Sequence, residues 1–166
     1  MATPLVFALD QNFPATVLTL LPKLPDTALV PLRELHPDLV KDHDDWEVLR
    51  DLKRRGGVDG FVTLDAKMLN LPKEMVVLQQ SRLTLVVFEG IDHDPFVATG
   101  LLMLHMPGIV KQNDKTLAQL YVLKRPRLTP ENPWNRLDLV ARQAGTDAQS
   151  LYDDHKLSAQ LFLRDR

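Results

Sequence analysis

The 166-residue sequence contains no cysteine. That absence removes disulfides, thiolate metal sites and cysteine nucleophiles together, and it fits an intracellular protein. An excess of positive charge is also missing: 20 lysines and arginines stand against 22 aspartates and glutamates, a formal net charge of -2. A chain so balanced lacks the global basic bias of many nucleic-acid binders and leaves only a local basic patch for such a role. No apolar run approaches the roughly 20 residues that a spanning helix needs. The N-terminus has no charged region leading into an apolar signal core, because Asp10 interrupts it early. Cytoplasm, with no membrane partner, is therefore the expected address. No internal repeat or low-complexity tract is evident. What is present is 45% hydrophobic and 25% charged residues, enough for one globular core with an appended subdomain.

The stretch from Asp44 to Leu69 organises the rest. Trp46, Val48, Leu49 and Leu52 recur at spacings of three and four, which predicts a helix with one apolar stripe, opened by Asp44 or Asp45. Lys53, Arg54 and Arg55 suit the negative end of its dipole, and Gly56 or Gly57 suits a left-handed stop. Phe61 to Leu64 then reads as a covered strand that ends at Asp65. Leu5 to Leu9 repeats this logic, an apolar run ending at Asp10. Pro14 to Leu21 is expected to form a short helix, Thr27 to Leu32 a strand, and Arg33 to Asp45 an exposed charged loop. The order β, α, β, α, β predicts a parallel sheet with right-handed crossovers.

Further along, Asn70 to Arg82 reads as a helix presenting Leu71, Met75 and Leu78 on one face, in preference to a strand over Met75 to Leu78. Leu83 to Phe88 is the next strand. Asp94 and Pro95 open an apolar helix from Phe96 to about Met106, which Pro107 and Gly108 end or kink. The expected domain spans residues 1-113. Residues 114-166 form a C-terminal helical and extended addition, with an edge strand at Leu120 to Leu123 and helices over Leu137 to Ala144 and Ala148 to Leu163. This addition packs on the domain or on a second copy.

The residues suited to chemistry are aspartates. In open α/β sheets the ligand crevice lies at the carboxyl ends of the strands, which is where Asp10 and Asp65 fall. The Asp44 and Asp45 pair stands at the start of a crossover helix and can join them. Aspartate oxygens without cysteine suit Mg²⁺ or Mn²⁺, and such ions serve phosphodiester hydrolysis. Each residue also has a plain structural role open to it. Asp44 with Glu47 forms an acidic capping box, worth on the order of 1 kcal/mol. Asp65 can cap the turn at Ala66, and Asp10 can bond its own turn through Asn12. His36 and His43 lack further ligands for a zinc site, and His105 reads as a core histidine in an apolar helix. Arg33, Lys53, Arg54 and Arg55 either line a phosphate groove or lie in solvent. Trp134 and Tyr152 either stack bases or pack the C-terminal segment.

The segments FALDQNFP, DDWEVL and GFVTLDAKM, followed by PKE at Pro72 to Glu74 and the run LTLVVFEG, resemble the PIN-like nuclease domains of the VapC toxin kind. The resemblance covers about Leu5 to Gln112 and is carried by order and spacing. It implies a three-layer α/β/α sandwich with a mainly parallel central sheet, and an acidic cluster holding Mg²⁺ or Mn²⁺ for RNA cleavage. Carried over, Asp10 matches the aspartate after the first strand and Asp65 the one after the central strand, with Asp45 or Asp44 as the acid of the helix start. Many relatives place another aspartate where this chain has Lys67, a residue that can neutralise the carboxylates or reach a substrate phosphate. Glu74 replaces the missing acid if its helix faces the crevice; otherwise it is an exposed first-turn glutamate. The implied function is a metal-dependent ribonuclease, the toxin of a toxin-antitoxin pair, with RNA, an antitoxin protein and a second copy as partners. The alternative is a catalytically inactive PIN-like module that binds RNA or another protein. A receiver-like domain would need a lysine late in the sheet, for which the sequence offers no convincing candidate.

Overall fold

Two of the sheet's strands begin as the apolar runs that end at Asp10 and Asp65. The computed structural model describes residues 3-13, 18, 24-40, 43-91, 94-125, 130 and 132-155. Its five strands are β1 (Leu5–Leu9), β2 (Thr27–Pro31), β3 (Gly60–Thr63), β4 (Thr84–Glu89) and β5 (Gln119–Lys124). All neighbouring pairs are parallel, in the order β2-β1-β3-β4-β5. Among the described residues the helices of more than one turn are α1 (Asp45–Arg55), α2 (Pro72–Ser81), α3 (Pro95–Gln112), α4 (Pro133–Gln143) and α5 (Ala148–His155).

Alternation along the strands sorts the core into two layers, because successive side chains point to opposite faces. Phe7, Leu9, Val62, Val86 and Phe88 pack with Leu101, Leu102, Met106 and Ile109 of α3. Ala8, Phe61, Leu85 and Val87 pack on the other face with Leu49 and Leu52 of α1 and Leu78 of α2. Burying one such Leu or Phe is worth about 1.5–3 kcal/mol, so both faces of the sheet must be covered. The result is an α/β sandwich of three layers, as the sequence predicts.

Several local expectations hold. Asp44 takes the N-cap of α1 in an extended conformation, Lys53, Arg54 and Arg55 fill its last turn, and Gly56 and Gly57 have φ of 74° and 78°. β5 is the edge strand. It lies beyond residue 113, and the compact unit carrying the sheet runs to Pro126.

Other expectations are corrected. Arg33 to Asp45 is not simply an exposed loop: Leu32–Leu35 is one helical turn, Pro37–Leu39 is a 3₁₀ turn, and Leu39 is buried among Leu32, Val48 and Leu49. α3 neither ends at Pro107 nor at Gly108 but continues to Gln112. Pro107 is exposed, so the carbonyl it leaves without an intrahelical donor can turn to water. His105 is exposed on the same helix rather than a core residue. On α2 the expected face holds at Leu78, which is buried, and at Met75, which is partly buried against the same cluster, but not at Leu71, the 44% exposed N-cap residue; Glu74 and Ser81 are buried as well. The expected helix over Pro14 to Leu21 lies largely outside the described residues, as does the part of the last helix beyond His155.

The second unit, Arg127–Arg166, contains α4 and α5. Asn132 caps α4 by accepting from the Trp134 N–H, and Gly145, with φ of 73°, follows the helix. The rings of Trp134 and Tyr152 meet with centroids 5.4 Å apart and tie the two helices together, while both stay partly exposed.

Candidate active site

In a sheet ordered β2-β1-β3-β4-β5, the chain passes from β1 to β2 on one side and then crosses back over β1 to β3 on the other. The crevice at that reversal, at the carboxyl ends of β1 and β3, is where open α/β sheets bind ligands. Asp10 follows β1 directly. Its N–H donates to the Val62 carbonyl at 2.9 Å, which carries the β1–β3 ladder one residue past the Leu9–Val62 pair and locks Asp10 in place. Its side chain accepts from the Thr63 hydroxyl at 2.9 Å. That same hydroxyl accepts from the Asp65 N–H at 3.0 Å. One buried threonine therefore ties the two strand ends together.

Asp10 is 9% exposed, and burial raises its pKa above the ordinary carboxylate value. Hydrogen bonds from Thr63, Gln11 and Asn12 oppose the rise, and the negative charge of Asp65 adds to it. The local bond to Asn12 and the position in the crevice thus coexist. Asp65 also has both roles: its carboxylate accepts from the Lys67 N–H at 2.9 Å, capping the 3₁₀ turn Ala66–Asn70, while its charge reaches Asp10 and Asp45.

Crossover helices run back against their strands, so α1 and α2 begin at this same edge. Asp45 is the first residue of α1 and is partly buried. Its carboxyl is pushed up to about 6, first by burial and then by the charges of Asp10, Asp65, Glu74 and Asp44. The choice between the neighbouring aspartates is thereby made by structure. The Asp44 N–H donates to Glu47 Oε2 at 3.2 Å, and its carboxylate accepts from the Trp46 indole N–H at 3.1 Å. Asp44 serves the helix cap and the indole; Asp45 is the acid most affected by the others.

Glu74, in the first turn of α2, is 7% exposed. The exposed-glutamate reading is therefore overturned, and Glu74 acts electrostatically on Asp45. Both helix N-termini carry partial positive charge and offset some of the repulsion among the acids. Arg33 lines a small cleft with Asp10, Gln11, Phe13 and Leu32, so it joins the site from the β2 side. Lys67 is exposed, one residue past the 3₁₀ turn's first position. Arg54 and Arg55 are drawn into ion pairs with Asp51 and Asp38, which removes them as free phosphate ligands. Among the described residues, no three His, Asp or Glu side chains are grouped so as to hold one metal ion, and this holds for the expected set Asp10, Asp45, Asp65 and Glu74 as well as for His36 and His43.

Comparisons with protein-family models, curated proteins and solved structures find no match. The site must be read from its own chemistry.

Thr63 is the functional position that sequence reasoning missed. Its signal was present: a hydroxyl at the last strand position, two residues before the strand-end aspartate, in a strand otherwise of apolar residues and glycine. Four carboxylates supply only hard oxygen donors. That set suits Mg²⁺ or Mn²⁺ in chemistry, and Mg²⁺ commonly takes one or two protein carboxylates and completes its shell with water and substrate phosphate. Three converged side chains are not a requirement for such an ion.

Proposed function

We propose that the chain is a metal-dependent ribonuclease of PIN-like type. The observation that carries the reading is that Asp10 and Asp65 end β1 and β3, joined through Thr63, while Asp45 and Glu74 start the two helices at the same edge, where burial first and then the charges of the other acids raise the Asp45 pKa. Repulsion of this kind destabilises the cluster in the absence of a cation, and functional sites are where such perturbed groups concentrate. Asp10 and Asp65 are the residues that would hold Mg²⁺ or Mn²⁺, with water and substrate phosphate completing the shell and Asp45 and Glu74 adding negative charge nearby. When bound, the ion would activate water and neutralise charge on a phosphodiester.

The chain's own residues supply the rest. Thr63 holds the Asp10 carboxylate through one hydrogen bond and the Asp65 backbone through another, keeping two acids in register across two strands. Asp45, with its raised pKa, is suited to accept a proton from an attacking water near neutral pH. Arg33 lies where it can meet a phosphate beside Asp10, and exposed Lys67 is a second cation at the edge. Buried Glu74 supplies an acid that compensates for lysine at position 67. The toxin-antitoxin reading and the paired copy rest on the sequence resemblance alone.

The test is cleavage of single-stranded RNA with Mn²⁺. Asp10→Asn and Asp65→Asn should each lower the rate by more than the roughly 10–100-fold that loss of an outer partner of a metal site costs. Wild-type rates in both variants would refute the assignment.

A receiver-like reading gains one observation. The late lysine it needs is present as Lys124 at the end of β5, though its ammonium is paired with Glu89 at 2.5 Å. Incubation with acetyl phosphate and Mg²⁺ separates the readings: a mass gain of one phosphoryl group, lost on Asp65→Asn, favours the receiver.

A further inference from the structure

The two helices that deliver Asp45 and Glu74 lie side by side, and the space between them is lined by Trp46, Arg50 and Lys53 of α1 and Val77, Gln80 and Ser81 of α2. The cavity is about 370 Å³, within the range of about 300–1,000 Å³ typical of ligand pockets. None of these side chains belongs to the acidic cluster.

Trp46 is held as a platform. Its indole N–H donates to the Asp44 carboxylate, which fixes the ring's rotation. The Lys73 ammonium lies 3.4 Å from the ring centre and the Arg50 guanidinium carbon 5.2 Å away. Arg50 shares its charge with buried Asp51 at 2.9 Å. Among the described residues, Lys53 and Lys73 have no carboxylate within ion-pair distance, so the net charge offered by the groove is positive although the whole chain is acidic. The Lys73 ammonium covers one indole face on a flexible stem, and Lys53 stands clear of the ring. An aromatic ring with mobile cations beside it is the pairing that binds single-stranded nucleic acid: a base takes the ring face and the cations take the phosphates. A duplex would keep its bases stacked on each other and could not use the ring.

The groove is also placed for this use. Asp45 immediately precedes Trp46 and Glu74 immediately follows Lys73, so both helices begin beside the acids and run away from them along the groove. Lys53 lies seven residues after Trp46, about 10 Å down the helix. We propose that the α1–α2 groove is a single-stranded RNA subsite, in which a base displaces the Lys73 ammonium from the Trp46 ring and Lys53 and the displaced Lys73 bind the adjoining phosphates. This assignment rests on the ribonuclease reading, and it states where the strand beside the cleaved bond lies.

The test uses the full chain in EDTA, where binding is read without cleavage, and a fluorescein-labelled octauridylate followed by anisotropy. Trp46→Leu and Lys53→Glu should each weaken binding by roughly tenfold or more. In a Trp134→Phe background, where Trp46 is the sole tryptophan, octauridylate should quench its fluorescence. Thermal melts show whether the variants fold. Lys53 is exposed, so Lys53→Glu keeps the test alive if the Trp46 variant does not fold. Wild-type affinity in Lys53→Glu, or stronger quenching by an octaglutamate peptide than by octauridylate, overturns the proposal in favour of no site or of an acidic peptide partner. Asp10→Asn separates the two readings. If it cleaves RNA normally, the acidic-site assignment falls; if it is inactive while the groove variants bind and cleave as wild type, only the groove assignment falls.

Discussion

A carboxyl group that is partly buried beside other carboxylates keeps its proton to higher pH in the folded chain than in the unfolded one. Asp45, raised from 3.8 to about 6, is in this position. The sign follows directly. The folded state binds the proton more tightly, so Asp45 costs no stability below its unfolded pKa, and its full cost is present above about pH 6. Asp10, also raised, shifts stability in the same direction. Asp45→Asn should therefore stabilise the metal-free protein by about 1–2 kcal/mol near pH 7.5 after allowance for solvent screening, and by nothing near pH 3.5. Urea unfolding at the two pH values checks this; an equal effect at both would remove repulsion as the cause. At this scale Asp10 and Asp65 were legible because a strand-end acid is visible as a run followed by a charge. Glu74 was not, because nothing in its neighbours distinguishes an inward first-turn glutamate from a solvated one.

Among the elements, β3 is the most constrained by its neighbours. Gly60 pairs with Phe7 of β1 and Thr84 of β4, and a Cβ at this position would lie 2.5 Å from Phe7 ring carbons and from the Thr84 carbonyl oxygen. The Phe7 ring thus occupies the space a side chain would need. Gly60→Ala should destabilise the protein by about 1–3 kcal/mol, the usual cost of overpacking. Gly57→Ala tests another principle, since its surroundings are open but its φ is +78°. Chemical denaturation midpoints for Gly60→Ala compared with wild type supply the measurement, and an unchanged midpoint would mean that both the Phe7 ring and the β4 backbone at Thr84 give way freely. Element types were readable from periodicity throughout the sheet unit. The burial of polar side chains was not: α2 buries Glu74 and Ser81 beside Leu78, and hydrophobic pattern alone cannot reveal a buried polar group.

For the molecule as a whole, both apolar clusters are drawn from residues up to Leu123, within the unit Met1–Pro126. A core complete in one unit predicts that a chain ending at Pro126 unfolds cooperatively on its own. Circular dichroism melting of that fragment should show one sigmoidal transition; a gradual, non-cooperative loss of signal would show that residues 127-166 are needed for folding. Mn²⁺ should raise the melting temperature of the full chain and leave an Asp10→Asn, Asp65→Asn double variant unmoved, since an ion bound only by the folded state stabilises it.

The sequence by itself determined the parallel α/β class, the strand-end positions of Asp10 and Asp65, and the cap and stop of α1. These depend on local periodicity, turn chemistry and the need to bury apolar runs, all written within a few residues of each other. Only the tertiary structure decided that Asp45 rather than Asp44 joins the acids, that Glu74 is buried beside them, and that Thr63 links β1 to the turn after β3. The physical reason is that one residue along a helix turns a side chain by about 100°. Which of two neighbouring acids faces the crevice is therefore set by how the helix packs on the sheet, and that packing is settled by contacts between residues far apart in the chain.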